Sequence, residues 1–92
     1  MEMVKEPYHP KAYLSNIKNI KRGLQARTRI LNILDNESVD AKGISNKASL
    51  HYGVVLHHLR LLEAEAIVER KQSKPHTWAL TGIGQRRLVN LS

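Results

Sequence analysis

The stretch SLHYGVVLHHLRLLEAEA, residues 49–66, limits what this chain can fold into more than any other. Val55, Leu59, Leu62 and Ala66 recur at steps of four, three and four. A helix returns to the same side every three or four residues, so these positions form one apolar stripe. Gly53, His57, Arg60 and Ala64 point the other way, and Leu56 lies to one side. That outer face carries a Gly, a His and an Arg, and no acid before Glu63. A plain solvated helix mixes both signs of charge. This one suits docking against something anionic.

The whole chain leans the same way. Fifteen Lys and Arg stand against eight Asp and Glu, giving +7 and a pI near 10.1. Such a balance in 92 residues favours nucleic acid as partner, with a membrane surface second. The charge is patchy. Residues 1–30 hold seven cations and two acids, residues 31–69 three and six, and residues 70–92 five and none. Basic ends around a slightly acidic middle do not describe a uniform cationic sheath. No apolar run approaches the roughly 18 residues of a membrane span. The N-terminus MEMVKEPYHP does not read as a secretory signal, because it carries acids and no apolar block. With no Cys there is no disulfide and no thiolate chemistry, which accords with a cytoplasmic setting. One domain is expected, with a core built mostly from Leu, Ile, Val and Ala, since Phe is absent.

In chain order, residues 1–10 hold two prolines and no periodicity, and read as a flexible arm, ordered only where it docks. The single domain is expected over residues 11–92. From Lys11, the residues Tyr13, Leu14, Ile17, Ile20 and Leu24 recur at helical spacing, which predicts an N-terminal helix with Gly23 as kink or break. Residues 24–34 predict a second helix, with Ile30, Leu31, Ile33 and Leu34 giving a broad buried face. Ser38-Val39 allows only a strand stub. Asp40 is a suitable cap for a short helix over 41–48, with Ala41, Ile44 and Ala48 inward. After Ala66 the period changes, and 67–71 and 77–80 read as strands joined by the polar loop Gln72–His76. Thr81 is expected to cap a last helix over 82–91, with Ile83, Leu88 and Leu91 inward.

Three local patterns then carry a resemblance. Val55-Leu56-His57-His58-Leu59-Arg60-Leu61-Leu62 looks like a recognition-helix pattern, Ile67-Val68-Glu69-Arg70 like the first wing strand after it, and Trp78-Ala79-Leu80-Thr81 with Gly84 and Leu88 like the junction into a last helix. In this order, residues 24–90 resemble the winged helix-turn-helix transcriptional regulators of the ArsR and MarR type. The implied fold is mainly α with a small β-hairpin (α+β): a three-helix core plus wing, with extra N-terminal and C-terminal helices. The resemblance also implies double-stranded DNA binding by a homodimer. Two positions depart from the family: Ser49 and Ala66 stand where it usually has Gly, and such positions commonly want a left-handed backbone. His51 stands where the family often has a Ser-type cap.

The expected DNA-binding residues are Tyr52, Gly53, His57 and Arg60 on the recognition helix, 51–65, and Arg70, Lys71, Lys74 and His76 on the wing, 68–80. A helix fits the major groove, where His and Arg donate to base acceptors or phosphates, and Gly53 permits close approach. A basic hairpin tip can lie along the backbone or enter the minor groove. Lys18, Lys21, Arg22, Arg27 and Arg29 read either as flanking phosphate contacts or as a solvated helix face. Apolar residues left over by a three-helix core, Tyr13, Leu14, Ile17 and Ile20 with Leu88 and Leu91, suggest a dimer contact.

His51 and His58 stand about two turns apart, His57 and His58 point in different directions, and no acid or Cys completes a ligand set, so no metal is expected, and His58 reads as half-buried beside the core. No nucleophile elbow, phosphate loop or paired carboxylates appear, so neither an enzyme nor a cofactor is expected. The favoured function is a sequence-specific regulator, nucleoid-associated in a prokaryote. Alternatives are a winged-helix module for protein contacts and a non-specific DNA-coating protein.

Overall fold

Periodicity and caps translate directly into the central elements. The computed structural model describes residues 8–15, 17–72 and 74–82. Among these, α1 (Lys21–Leu34), α2 (Ala41–Ala48) and α3 (Tyr52–Ala64) precede a hairpin of β1 (Val68–Arg70) and β2 (Trp78–Leu80). A single 3-10 turn, Pro10–Ala12, stands before α1.

Local chemistry starts and stops α2 and α3. The Asp40 carboxylate accepts from the Gly43 backbone N–H at 2.9 Å. A Cβ at Gly43 would lie 2.7 Å from both the Asp40 oxygen and the Val39 side chain, so glycine is what lets this cap close. At the other end Ser49 takes the left-handed conformation, φ 57°, and Leu50 N–H reaches back to the Ser45 carbonyl. His51 then caps α3, its Nδ1 accepting from Gly53 N–H at 3.2 Å. After α3 comes a Schellman ending: Ala66, φ 61°, donates to the Glu63 carbonyl and Ile67 to that of Leu62. Both turns therefore keep the left-handed backbone without Gly, a strain of about 1 kcal/mol each.

The core lies where the three helices meet the hairpin. Leu24, Ile30, Leu31 and Leu34 of α1, Ile44 of α2, and Val55, Leu59 and Leu62 of α3 are buried together with Ile67, Val68, Trp78 and Leu80. Ala66, assigned to the stripe from its spacing, instead lies past the helix end and is exposed. β1 and β2 pair antiparallel, with Val68 opposite Leu80 and Arg70 opposite Trp78. The Val39 stub bridges to Trp78 through two backbone hydrogen bonds of 2.8 and 3.1 Å. The Thr81 hydroxyl donates to the Ala66 carbonyl at 2.6 Å, tying the strand end back to the turn after α3.

The N-terminal helix expected from Lys11 does not form. Past the 3-10 turn the described residues up to Ile20 are irregular, and α1 starts at Lys21, so Gly23 lies inside its first turn rather than at a break. Asn19 competes with the helix: its Oδ1 accepts from Leu14 N–H at 2.8 Å and its Nδ2 donates to the Leu14 carbonyl at 2.9 Å. The helical spacing of Tyr13, Leu14, Ile17 and Ile20 is thus not a stripe. Leu14 is buried in its own domain, at 5% exposure, whereas Tyr13, Ile17 and Ile20 are exposed. Ahead of this segment, Tyr8–Pro10 dock on α1. His9 N–H donates to Thr28 Oγ1, and His9 Nε2 lies 3.0 Å from the Asp35 carboxylate. The last helix expected over 82–91, with Leu88 and Leu91, and most of the expected arm lie outside the described residues.

Candidate nucleic-acid interface

α3 presents an outward ridge with a cleft on either flank. Gly53, His57, Arg60 and Ala64 are exposed along it, on the side away from the buried Val55, Leu59 and Leu62. Tyr52 and Val54 are also open, at 49% and 39% exposure. One cleft, of about 500 Å³, separates α3 from the hairpin and the start of α2; Tyr52, Arg60, Arg70 and His76 line it together with Lys42. Glu63 and Asp40 line the same cleft and temper its charge. The second cleft, of about 630 Å³, lies between α3 and α1 and contains Gly53 and His57 with Arg22, Arg29 and His51.

Four of the eight residues expected at the interface therefore share the wing-side cleft, and two line the α1-side cleft. Lys71 and Lys74 are exposed in the hairpin loop and line neither of these clefts. The loop is held partly by His76, whose Nδ1–H donates to the Lys71 carbonyl at 3.2 Å. A Cβ at Gly53 would meet only the His51 ring, at an ordinary 3.5 Å, so nothing inside the molecule requires glycine there.

Behind the ridge sits a polar cluster. Arg27, expected on the surface, is 2% exposed. Its Nε donates to the Ala12 carbonyl at 2.6 Å and its Nη2 to Asn19 Oδ1 at 3.0 Å. Nη1 lies 3.3 Å from His58 Nδ1, which accepts because a guanidinium has only donors. Burial lowers the Arg27 pKa, opposed by the Glu65 carboxylate. His58 is pushed down to about 4, first by burial, then by the Arg27 charge and by His57. Its imidazole is therefore neutral at pH 7 and packs edge-on against His57, with centroids 4.9 Å apart. His58 is a structural residue that supports the exposed His57. Among the described residues no group of three or more His, Cys, Asp or Glu could hold a metal ion.

Sequence reasoning missed Lys42 and His51 as members of these clefts. The signal for Lys42 was its place two residues after the Asp40 cap, which puts its side chain at the start of α2. His51 was visible as a cap position. Nothing local indicated that Arg22 and Arg29 would face the ridge from α1.

Three helices, a left-handed turn between the last two, and a hairpin packed on α3 define a winged helix-turn-helix. No protein-family model matches the sequence, and no curated relative does either. Solved structures do match the fold. A MarR family transcriptional regulator from Silicibacter pomeroyi superposes with TM-score 0.63 at 18% identity, over 73% of this chain and 46% of that one. A homodimeric winged helix-turn-helix DNA-binding domain from Mycobacterium bovis, a candidate ArsR-family regulator, gives 0.61 at 19% identity, over 72% and 62%. A mutant of ZitR from Lactococcus lactis gives 0.59 at 17%, over 84% and 53%. The chain spans about half the length of these proteins, and at such identity the likeness is one of fold. Among the described residues no helix is long and apolar enough to cross a membrane.

Proposed function

We propose that this chain is a sequence-specific double-stranded DNA-binding protein that acts as a homodimeric transcriptional regulator. One observation carries the reading: in a winged helix-turn-helix, the exposed ridge of α3 and the hairpin bring Tyr52, Arg60, Arg70 and His76 around one cleft. In this reading α3 enters the major groove. His57 and Arg60 meet base edges or phosphates, and Gly53 leaves room for the duplex. The wing follows the backbone or the minor groove through Arg70, Lys71, Lys74 and His76. The protein works where the DNA is, in the cytoplasm and on the nucleoid of a prokaryotic cell. A second copy is recruited through Tyr13, Ile17 and Ile20, which are 44–56% exposed. Leu14 takes no part, because its own core buries it. Leu88 and Leu91 remain candidates for the same contact.

The deciding experiment is selection of bound sequences from a random duplex pool, followed by affinity measurements across salt. A shared motif with two-fold symmetry is the expected result. Arg60→Ala then weakens binding and, for a phosphate contact, flattens the dependence of log K on log salt by about one unit. His57→Ala changes the recovered motif. Binding that ignores sequence would favour a DNA-coating role instead. A protein-contact module is the second reading, favoured by the open Tyr52 and Val54. Absence of duplex binding at low salt would select it.

A further inference from the structure

Of the two clefts beside α3, the more cationic is not the one on the wing side. The wing-side cleft balances Lys42, Arg60 and Arg70 against Asp40 and Glu63. The α1-side cleft carries Arg22 and Arg29 with His51, His57 and His58, and no acid lines it. From α3 the two clefts take different residues: Tyr52, Leu56, Arg60 and Glu63 on one side, Gly53, Val54, His57 and His58 on the other. At 3.6 residues per turn these sets point roughly 130° apart, with the outward ridge between them. A helix lying in a major groove has one phosphate backbone on either side of it. The wing accounts for one of these strands and leaves the other unassigned.

We infer that Arg22 and Arg29 of α1 bind the phosphodiester backbone of the strand on the far side of α3 from the wing. This rests on the DNA-binding reading above and adds a second wall to it. Arg22, Gln25, Ala26 and Arg29 follow one another at helical spacing and all line the cleft, so the two arginines leave the helix two turns apart, their Cα atoms about 10 Å apart along α1. Both arginines are exposed. Arg29 is tethered by one long hydrogen bond, 3.4 Å from Nη1 to the Ala48 carbonyl, which holds it beside the helix-turn-helix turn and leaves the rest of its fork for phosphate oxygens. Arg27, from the same basic segment, is excluded because its guanidinium is consumed inside the fold. The floor of Ala26, Leu50 and Val54 is apolar and suits a sugar edge rather than a second charge. Contacts of this kind fix the position of α3 in the groove and carry no sequence information themselves.

The test uses the full chain and a duplex recovered by selection. Arg22→Gln and Arg29→Gln remove the charge and keep a polar side chain of good helix propensity. The double variant is expected to flatten the slope of log K against log salt by about two units while recovering the same motif from the pool. Arg22→Gln alone, at an exposed position, flattens it by about one and guards against a folding defect, which circular dichroism checks. A second measurement replaces single phosphates by neutral methylphosphonates. Neutralising the phosphates that face α1 weakens the wild type and leaves the double variant unchanged. An unchanged slope in folded variants would overturn the inference and leave DNA binding intact. So would a changed motif at constant slope, because the arginines would then act through the placement of α3. A wild-type chain that binds no duplex at low salt would overturn both.

Discussion

His58 and Gly53 lie on the same helix and make opposite demands. His58 is 8% exposed and accepts from a buried guanidinium, so it must stay neutral in the folded chain. Its pKa is about 4 when folded, against an ordinary 6.5 when unfolded. Between these values the unfolded chain holds a proton that the folded chain refuses, so stability falls as pH drops through the window. Above pH 6.5 both states are neutral and the effect vanishes. Below 4 both are protonated and the loss is complete, at about 3 kcal/mol. Urea unfolding of wild type and His58→Gln between pH 7 and 5 checks this: the wild type loses stability and the variant loses less. Equal slopes would mean that His58 is not held neutral. Gly53, by contrast, is exposed and its missing Cβ would clash with nothing in the molecule. Gly53→Ala is expected to keep the fold or stabilise it by up to about 1 kcal/mol through helix propensity. Duplex affinity should fall, since the methyl group occupies the ridge. A variant that melts higher and binds as tightly as wild type would remove close approach as the role of Gly53.

At the scale of elements, the two turns that bracket α3 hold the most visible strain. Ser49 and Ala66 both sit in left-handed backbone. Each turn persists because several hydrogen bonds and buried neighbours determine it together: Leu50 to Ser45 on one side, Ile67 and Ala66 to the α3 carbonyls on the other. Ala66 is exposed and packs no side chain that glycine would lose. Ala66→Gly should therefore stabilise the protein by about 1 kcal/mol, read as a shift in the urea midpoint at constant slope. No gain would mean that the strain is relieved elsewhere in the turn. The hairpin is held differently. Trp78 is shared between β1 and the Val39 stub, so the wing is anchored to the start of α2 as well as to α3. That anchoring sets the distance between Lys42 and Arg70 across the wing-side cleft.

For the whole molecule, the remaining question is what covers the N-terminal surface. The chain that leads from His9 into α1 is fastened at several points: Arg27 to Ala12 and Asn19, Ser15 N–H to Glu65 at 2.7 Å, and His9 to α1. It nevertheless leaves Tyr13, Ile17 and Ile20 in solvent. A fastened segment with three open apolar side chains has the character of a contact surface. The full chain is expected to scatter light as a dimer at micromolar concentration, and Ile17→Glu with Ile20→Glu to scatter as a monomer with unchanged circular dichroism. A monomeric wild type would end the dimer proposal. A dimeric double variant would move the contact to the C-terminal residues that include Leu88 and Leu91.

The sequence alone determined the elements whose causes are local. The stripe of Val55, Leu59 and Leu62 is buried because helical spacing depends only on neighbours along the chain. Asp40 caps α2 and Trp78–Leu80 turns to extended structure for the same kind of reason: propensity and hydrogen bonding act over three or four residues. At Ser49 and Ala66 the resemblance only posed the choice between a different turn and a strained one, and the fold decided for the left-handed backbone. The N-terminal segment was not legible. Its spacing imitates a helix, but Asn19 and Arg27 bind its backbone, and Arg27 also reaches His58, 31 positions away. Only the packing of α1 against α3 brings Arg27 and His58 together, and once there they must be satisfied because burial strips their water. Membership of the clefts has the same origin. Arg60, Arg70 and His76 could be named one by one, but their meeting with Lys42 depends on how the hairpin packs on α3 and on the Val39 bridge before α2. Arg22 and Arg29 face the ridge because the apolar side of α1 fixes its rotation, and that rotation was decided by the core, at a distance no local pattern records.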